Sequence, residues 1–230
     1  MDLTILIRPG WISPRNPSPR DCQMNVPQRL LLATQNQGKL RELRQLLGDL
    51  PLKLYDLKDF PDVEGVPETG QSFIENASLK AVGYATQTGL LTLADDSGLA
   101  VDALGGAPGI LSARYAGEGA SDTERIHKLL AELSSYEASR RSARFVAAVA
   151  ISSGKGRIHN VSVGECKGHI DFRARGSGGF GYDPIFIPSG YDKTFAELKT
   201  EIKNKISHRA RALFGAREFL RTLTIASGDG

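Results

Sequence analysis

The chain has 230 residues, 40% hydrophobic and 24% charged, enough to bury a full core in one large domain or two closely joined lobes. Its 29 lysines and arginines against 26 aspartates and glutamates leave a formal charge of +3, compatible with an anionic substrate but too small to announce a nucleic-acid surface. The two cysteines, Cys22 and Cys166, lie far apart without metal spacing, so neither a disulfide scaffold nor a zinc site is indicated, and a reducing cytoplasm is the expected compartment.

Residues 1–28 crowd Pro9, Pro14, Pro17, Pro19 and Pro27 around Arg8, Arg15 and Arg20, and no stable helix or strand is expected there. The apolar piece at residues 3–7 is too short for a signal-peptide core and has no basic residue before it, and no transmembrane span is present. This segment reads as a disordered tail or as an over-extended start before Met24, with slight preference for the second. The domain proper spans residues 29–225.

Residues 29–33 read as a short buried strand, followed by the polar loop Thr34-Gln35-Asn36-Gln37-Gly38-Lys39 and a helical pattern with Leu40, Leu43, Leu46 and Leu47 on one face. A strand, a loop and a helix N-terminus make an anion site, because free backbone N–H groups and the helix dipole point at it and Lys39 adds a full charge. It is not a Walker loop, since Leu40 stands where a hydroxyl would follow the lysine. A plain helix cap with a solvated lysine is the alternative. Further on, Ser72-x-x-Glu75 opens a helix through Thr88 that Gly89 ends, so Glu75 is read as a cap and not as a metal ligand.

The apolar run Leu90-Leu91-Thr92-Leu93-Ala94 reads as a strand that delivers Asp95-Asp96-Ser97-Gly98 into a turn. Strand side chains alternate, so only one of the two carboxylates can look straight into a given cleft while the other braces it. Carboxylates so placed suit Mg²⁺, which takes one or two of them beside substrate phosphates; a polar turn capping the next element is the other reading. Ser121-x-x-Glu124 opens another helix to about Leu133, and residues 144–151 and 157–164 read as strands joined in a hairpin through residues 152–156. His127, His159 and His169 lack ligand spacing and are assigned to surface or packing; Arg114-Tyr115, after the glycine–proline turn, supports the cleft or a dimer contact.

In Arg175-Gly176-Ser177-Gly178-Gly179-Phe180-Gly181-Tyr182-Asp183-Pro184 the glycines let backbone approach a ligand, Phe180 and Tyr182 offer faces to a base, and Asp183 offers an acceptor. A tight hairpin with its aromatics in the core is the alternative. Lys203, His208 and Arg209 converge, with Lys203 and His208 on neighbouring parts of the surface if one helix carries both, and Ser207 can cap the basic amphipathic helix that follows, although a histidine beside an arginine is more often a solvated surface pair.

Taken together these segments resemble the inosine and xanthosine triphosphate pyrophosphatases. The resemblance rests on Ala33-Thr34-x-Asn36-x-Gly38-Lys39, on Glu68-Thr69-Gly70 with Phe73-Ile74-Glu75-Asn76-Ala77, and on Ala94-Asp95-Asp96-Ser97-Gly98-Leu99. It continues through Leu104-Gly105-Gly106-Ala107-Pro108-Gly109, Gly178-Gly179-Phe180-Gly181-Tyr182-Asp183-Pro184 and Ile206-Ser207-His208-Arg209, in the same order. It implies an α/β fold with an elongated mixed sheet in two lobes, flanking helices and a central nucleotide cleft, usually in a homodimer. It also implies hydrolysis of deaminated purine nucleoside triphosphates to the monophosphate and pyrophosphate with Mg²⁺.

On that resemblance the phosphates lie against Thr34, Gln35, Asn36, Gln37, Gly38 and Lys39, and Mg²⁺ joins them to Glu68 and Asp96. Asp96 takes the proton of the attacking water, Asp95 orients the site, Lys39 and Lys203 stabilise phosphate charge, and Ser97 contacts phosphate or sugar. Phe180 and Gly181 line the base, Tyr182 and Asp183 fix its far edge or the sugar, and His208 and Arg209 donate to the 6-oxygen that adenine lacks. Two rivals are a pyrophosphatase of the septum-formation-inhibitor type, which lacks Ser207-His208-Arg209 in this form, and a non-catalytic RNA-binding module. Unneutralised carboxylates at Asp95, Asp96 and Glu68 argue against a polyanion groove.

Overall fold

The computed structural model describes residues 28–226, so the expectations for the proline-rich N-terminal segment fall outside the described residues except at Gln28. Strand β1 (Gln28–Ala33) is a run whose Leu30, Leu31 and Leu32 have no exposed surface, as a strand covered on both faces requires. It pairs in parallel with β2 (Leu52–Asp56) on one side and β3 (Leu91–Val101) on the other. Beyond β3 the sheet turns antiparallel through β4 (Ser142–Ser152), β5 (Ile158–Ile170) and β6 (Phe186–Pro188), giving the order β2-β1-β3-β4-β5-β6.

Helices cover both faces of the parallel half. Helix α1 (Gln37–Leu47) is capped by Asn36 and drives Leu40, Leu43 and Leu47 against Leu30, Leu32 and Leu93. On the same face lies α5 (His208–Ala226), through Ala212, Leu213, Ala216 and Leu220. On the other face α2 (Phe73–Thr88) lays Ala77, Ala81 and Tyr84 on Leu31, Ala33, Ala94 and Ala148. Ser72 and the left-handed Gly89 bound α2 as expected, and Glu75 accepts from the backbone N–H of Gln71.

The antiparallel half has a separate core. Helix α3 (Asp122–Glu132), opened by the full Ser121–Glu124 capping box, buries Ile126 and Leu129 with Leu99, Val101 and an aromatic group of Phe145, Phe186 and Phe195. Phe145 and Phe186 meet edge to face at 4.6 Å. The expected β4–β5 hairpin forms, with both strands longer than the sequence pattern gave. Helix α5 packs so closely on β5 that a Cβ on Gly164 would stand 2.2 Å from the carbonyl oxygen of His208, so that contact admits glycine alone.

Three expectations are corrected. Asp95, Asp96, Ser97 and Gly98 lie inside β3 and not in a turn, because β4 pairs with every one of them. The glycine-rich segment is not a hairpin; it is a loop ending in a short 3₁₀ turn, Asp183–Ile185, that feeds β6. Lys203 and His208 do not share one helix: α4 (Thr200–Ile206) stops at Ser207, whose hydroxyl accepts from Ala210 N at 3.2 Å and caps α5.

Arg141, 2% exposed, closes the antiparallel half. Its guanidinium donates to the carbonyls of Leu133, Ile170 and Asp171 at 2.7–2.9 Å and lies 4.5 Å from the Phe172 ring centroid. Arg141→Ala would strand buried carbonyls and cost about 3 kcal/mol or more. Thermal unfolding followed by circular dichroism is expected to show a Tm lower by roughly 10 °C for a chain of this size.

Candidate active site

The parallel ladder between β1 and β3 ends at the pair Ala33–Ala94. There β1 leaves the sheet into the Thr34–Asn36 loop, while β3 runs on with β4 as its one strand partner and a single bridge from Ala100 to Pro108 on its other edge. The next two residues of β3 are Asp95 and Asp96, so both carboxylates stand at the carboxyl end of a parallel pair, where open α/β sheets form their clefts. Alternation sends them to opposite faces, as the sequence pattern required.

Asp95 points to the α1 and α5 face and is 1% exposed. It pairs with Lys39 Nζ at 2.8 Å and Arg209 Nε at 3.2 Å, and accepts from Ser97 Oγ at 3.0 Å. Burial alone would raise its pKa, but Arg209 and Lys39 hold it far below the carboxylate range, so it is a fixed negative charge. Asp96 points to the α2 face, where Lys80 Nζ lies 2.8 Å away and also meets Glu68 at 3.1 Å. Burial pushes the Asp96 pKa up against the pull of Lys80 and Lys39. One face therefore carries a braced carboxylate and the other a proton-avid one.

The Thr34 loop is built by its own side chains. Asn36 N donates to Thr34 Oγ1 at 3.2 Å, and Asn36 Oδ1 caps α1 by accepting from Lys39 N at 3.0 Å. Thr34, Gln35, Asn36 and Lys39 line a cleft of ≈ 370 Å³; Gln37 and Gly38 do not. Gly38 lies under the Phe180 ring, which a Cβ there would approach to 2.5 Å. Burial lowers the pKa of Lys39 against the opposing pull of Asp95.

Phe180, Gly181, Tyr182, Asp183, Lys203, His208 and Arg209 line the same cleft. Several of their polar atoms are already engaged within the protein. Tyr182 is buried and its hydroxyl donates to the carbonyl of Ser112 at 3.0 Å. Asp183 pairs with Lys203 and accepts from Phe180 N at 2.8 Å. Lys203 also reaches Glu42 at 2.8 Å. The guanidinium of Arg209 serves Asp95 and Glu42 and donates to Ser97 Oγ at 2.8 Å. His208 stacks on Phe145 at 4.7 Å, and burial pushes its pKa well below the ordinary histidine value. At neutral pH the imidazole is thus neutral, and its buried Nδ1 has no hydrogen-bond partner among the described residues.

Sequence reasoning missed Lys80, Glu42, Ser112, Asp122 and Arg125, of which all but Glu42 line the cleft. Lys80 follows Glu68 by 12 positions but sits mid-helix in α2, and Glu42 sits three residues after Lys39 on α1. That i, i+3 spacing on the face carrying Lys39 is the one signal that would have drawn attention to Glu42. Among the described residues no three His, Cys, Asp or Glu side chains converge as a preformed metal cage. Glu68 and Asp96 do converge on one positive charge, the Lys80 ammonium, which is the donor chemistry that a hard divalent cation takes up alongside phosphate oxygens.

Similar sequences and a similar fold occur in known proteins. A protein named dITP/XTP pyrophosphatase from Desulforamulus reducens is 48% identical over 197 residues, covering 86% of this chain and 98% of that protein. One of the same name from Geobacter sulfurreducens is 52% identical over 185 residues, covering 80% and 92%. The structure of a HAM1 protein from Coxiella burnetii superposes with a TM-score of 0.73 at 42% identity, over 88% of this chain and all of the other. The Staphylococcus aureus Ham1 protein gives 0.74 at 39% identity, over 85% and 99%. The family description "Ham1 family" matches residues 30–219, which takes in both faces of the cleft, and the chain belongs to the Ham1 family.

Proposed function

We propose that this chain hydrolyses deaminated purine nucleoside triphosphates, carrying hypoxanthine or xanthine, to the monophosphate and pyrophosphate. The reading is carried by the meeting of Asp96, Lys80 and Glu68 in one cleft, in a chain 48% and 52% identical to proteins named dITP/XTP pyrophosphatase. A nucleotide is expected to enter with its phosphates over the first turn of α1, where backbone N–H groups, Thr34 and Lys39 meet them. Lys80 and Lys39 face the charge that grows on the phosphates during transfer. Lys203, engaged by Glu42 and Asp183, steadies the aromatic loop from beneath.

Asp96 is the proton acceptor in this reading. Water oxygen bonds to the α-phosphorus, the bond from that phosphorus to the bridging oxygen breaks, pyrophosphate leaves, and the water's proton passes to Asp96 Oδ. The burial that raises its pKa makes Asp96 a stronger base than a solvated carboxylate. Glu68 and Asp96 are the residues that would hold Mg²⁺. When bound, that ion neutralises phosphate charge and lowers the pKa of water.

At the other end Phe180 lines the base, and His208 and Arg209 present donors suited to the 6-oxygen of hypoxanthine and xanthine. Adenine places an amino donor there, a clash that a buried donor site penalises strongly. The assembly is proposed as a homodimer, as the family resemblance implies. No helix among the described residues is long and apolar enough to cross a membrane, and the cytoplasm, which holds the nucleotide pool, is the proposed compartment.

Pyrophosphate release assayed in parallel from inosine, xanthosine and adenosine triphosphates is expected to favour the first two and to stop on adding chelator. Equal rates on all three would remove the 6-oxygen readout. Asp96→Asn, checked for an unchanged circular dichroism spectrum, is expected to lower kcat by about 10²-fold or more. Because Asp96 accepts a proton only when ionised, wild-type kcat should fall as pH drops through its titration. A pH–rate profile without that acid limb would contradict the assignment.

A further inference from the structure

A donor at the 6-oxygen cannot separate guanine from xanthine, since both carry that oxygen; they differ at the 2-position, where guanine has an amino donor and xanthine a carbonyl. We infer that Arg125 is a specificity-determining residue that donates to a 2-position carbonyl and so favours xanthine over guanine. This rests on the nucleotide reading above. Arg125 projects from α3 into the wall of the cleft, and its side chain is 17% exposed.

Two ties fix the guanidinium. Nη2 meets Asp122 and Nη1 donates to the carbonyl of Ala113. The second oxygen of Asp122 accepts from Gly181 N at 2.6 Å, so a single carboxylate links Arg125 to the residue following Phe180. The guanidinium is thereby held beside the base-lining loop at a set distance, and those ties use only part of its five N–H donors. Ile110 and Tyr182 line the same cleft, and a charge-assisted bond from a guanidinium to a carbonyl is stronger than a neutral one.

Arg125 comes from a different element than His208 and Arg209. Those two open α5, on the face of β3 that carries Asp95 and Ser97. Arg125 stands on α3, whose Ile126 and Leu129 pack with Leu99, Val101 and Phe145, and its Nη1 is tied at Ala113 to the 3₁₀ segment Gly109–Arg114, where Ser112 Oγ accepts from Leu99 N at 2.9 Å at the edge of β3 and packs against Gly98. The purine 6-oxygen and 2-position project to opposite grooves in a base pair, so donors from two separate elements can meet both. A guanidinium has no acceptor, so the 2-amino group of guanine would face donors only. Hypoxanthine, with hydrogen at that position, neither gains nor clashes.

The test is kcat/KM for xanthosine, inosine and guanosine triphosphates with wild type, Arg125→Ala and Arg125→Lys. Arg125→Ala is expected to lower both the xanthosine-to-guanosine and the xanthosine-to-inosine ratios by about ten-fold, the scale of one lost base contact. Arg125→Lys, which keeps a cationic donor, should retain part of both ratios. A loss by the same factor on all three substrates would make Arg125 a brace for the Gly181 loop and overturn the inference alone. Wild-type protein that hydrolysed none of the three would overturn the nucleotide reading, and the inference with it.

Discussion

Six side chains in one alternating row of charge hold the cleft together: Lys39, Asp95, Arg209, Glu42, Lys203 and Asp183. They come from α1, β3, α5, α4 and the loop before β6, and each is largely withdrawn from water. Desolvating so many ions is costly, and the row is tenable because every carboxylate has a cation and the sum of charge is zero. Removing one member leaves its neighbours buried and uncompensated, at a cost on the order of 3–5 kcal/mol. An apolar row of the same volume can pack as well, yet nothing in it would fix where Lys39 or the Phe180 loop stands. Placement is what these charges contribute.

That row also explains which parts of the molecule a sequence can disclose. Strands β1, β4 and β5, the first half of β3, the Ser72 and Ser121 caps, the stop at Gly89 and the β4–β5 hairpin all depend on residues within a turn or two of one another and are legible in local pattern, whereas β2 and β6 are not. The acidic pair reads as a turn for a local reason as well, since Asp-Asp-Ser-Gly is poor strand sequence. What reverses that preference arrives from elsewhere: Arg209 lies 114 positions from Asp95, and Lys80 comes from α2 on the opposite face. Once those cations neutralise the carboxylates and β4 supplies a ladder, the strand continues through them.

Candidate residues recognisable as motifs were brought into one cleft, while residues that act through position alone stayed hidden. Lys80, Glu42 and Arg125 look like ordinary solvated helix charges in the sequence. Only the packing of α2 on β3, α1 on α5 and α3 near Gly181 makes them interior. Conversely, Tyr182 and Asp183, chosen for chemistry, prove to spend their polar atoms on Ser112 and Lys203. A residue in a recognisable motif can therefore serve the shape of a site without touching its contents.

The unbroken run of β3 has a mechanical consequence. Its first half is paired with strands on both sides, β1 and β4, and its second half with β4 as the one strand neighbour, the other edge meeting the 107–112 segment, with Asp95 and Asp96 at the changeover. The floor of the cleft is thus one continuous ribbon with no flexible joint at Asp96. Amide hydrogens along this stretch should exchange only when large parts of the sheet open, whereas the walls formed by α3 and the Gly181 loop can breathe at lower free energy. Opening and closing around a ligand would then fall to the walls, and Asp96 would keep its coordinates throughout.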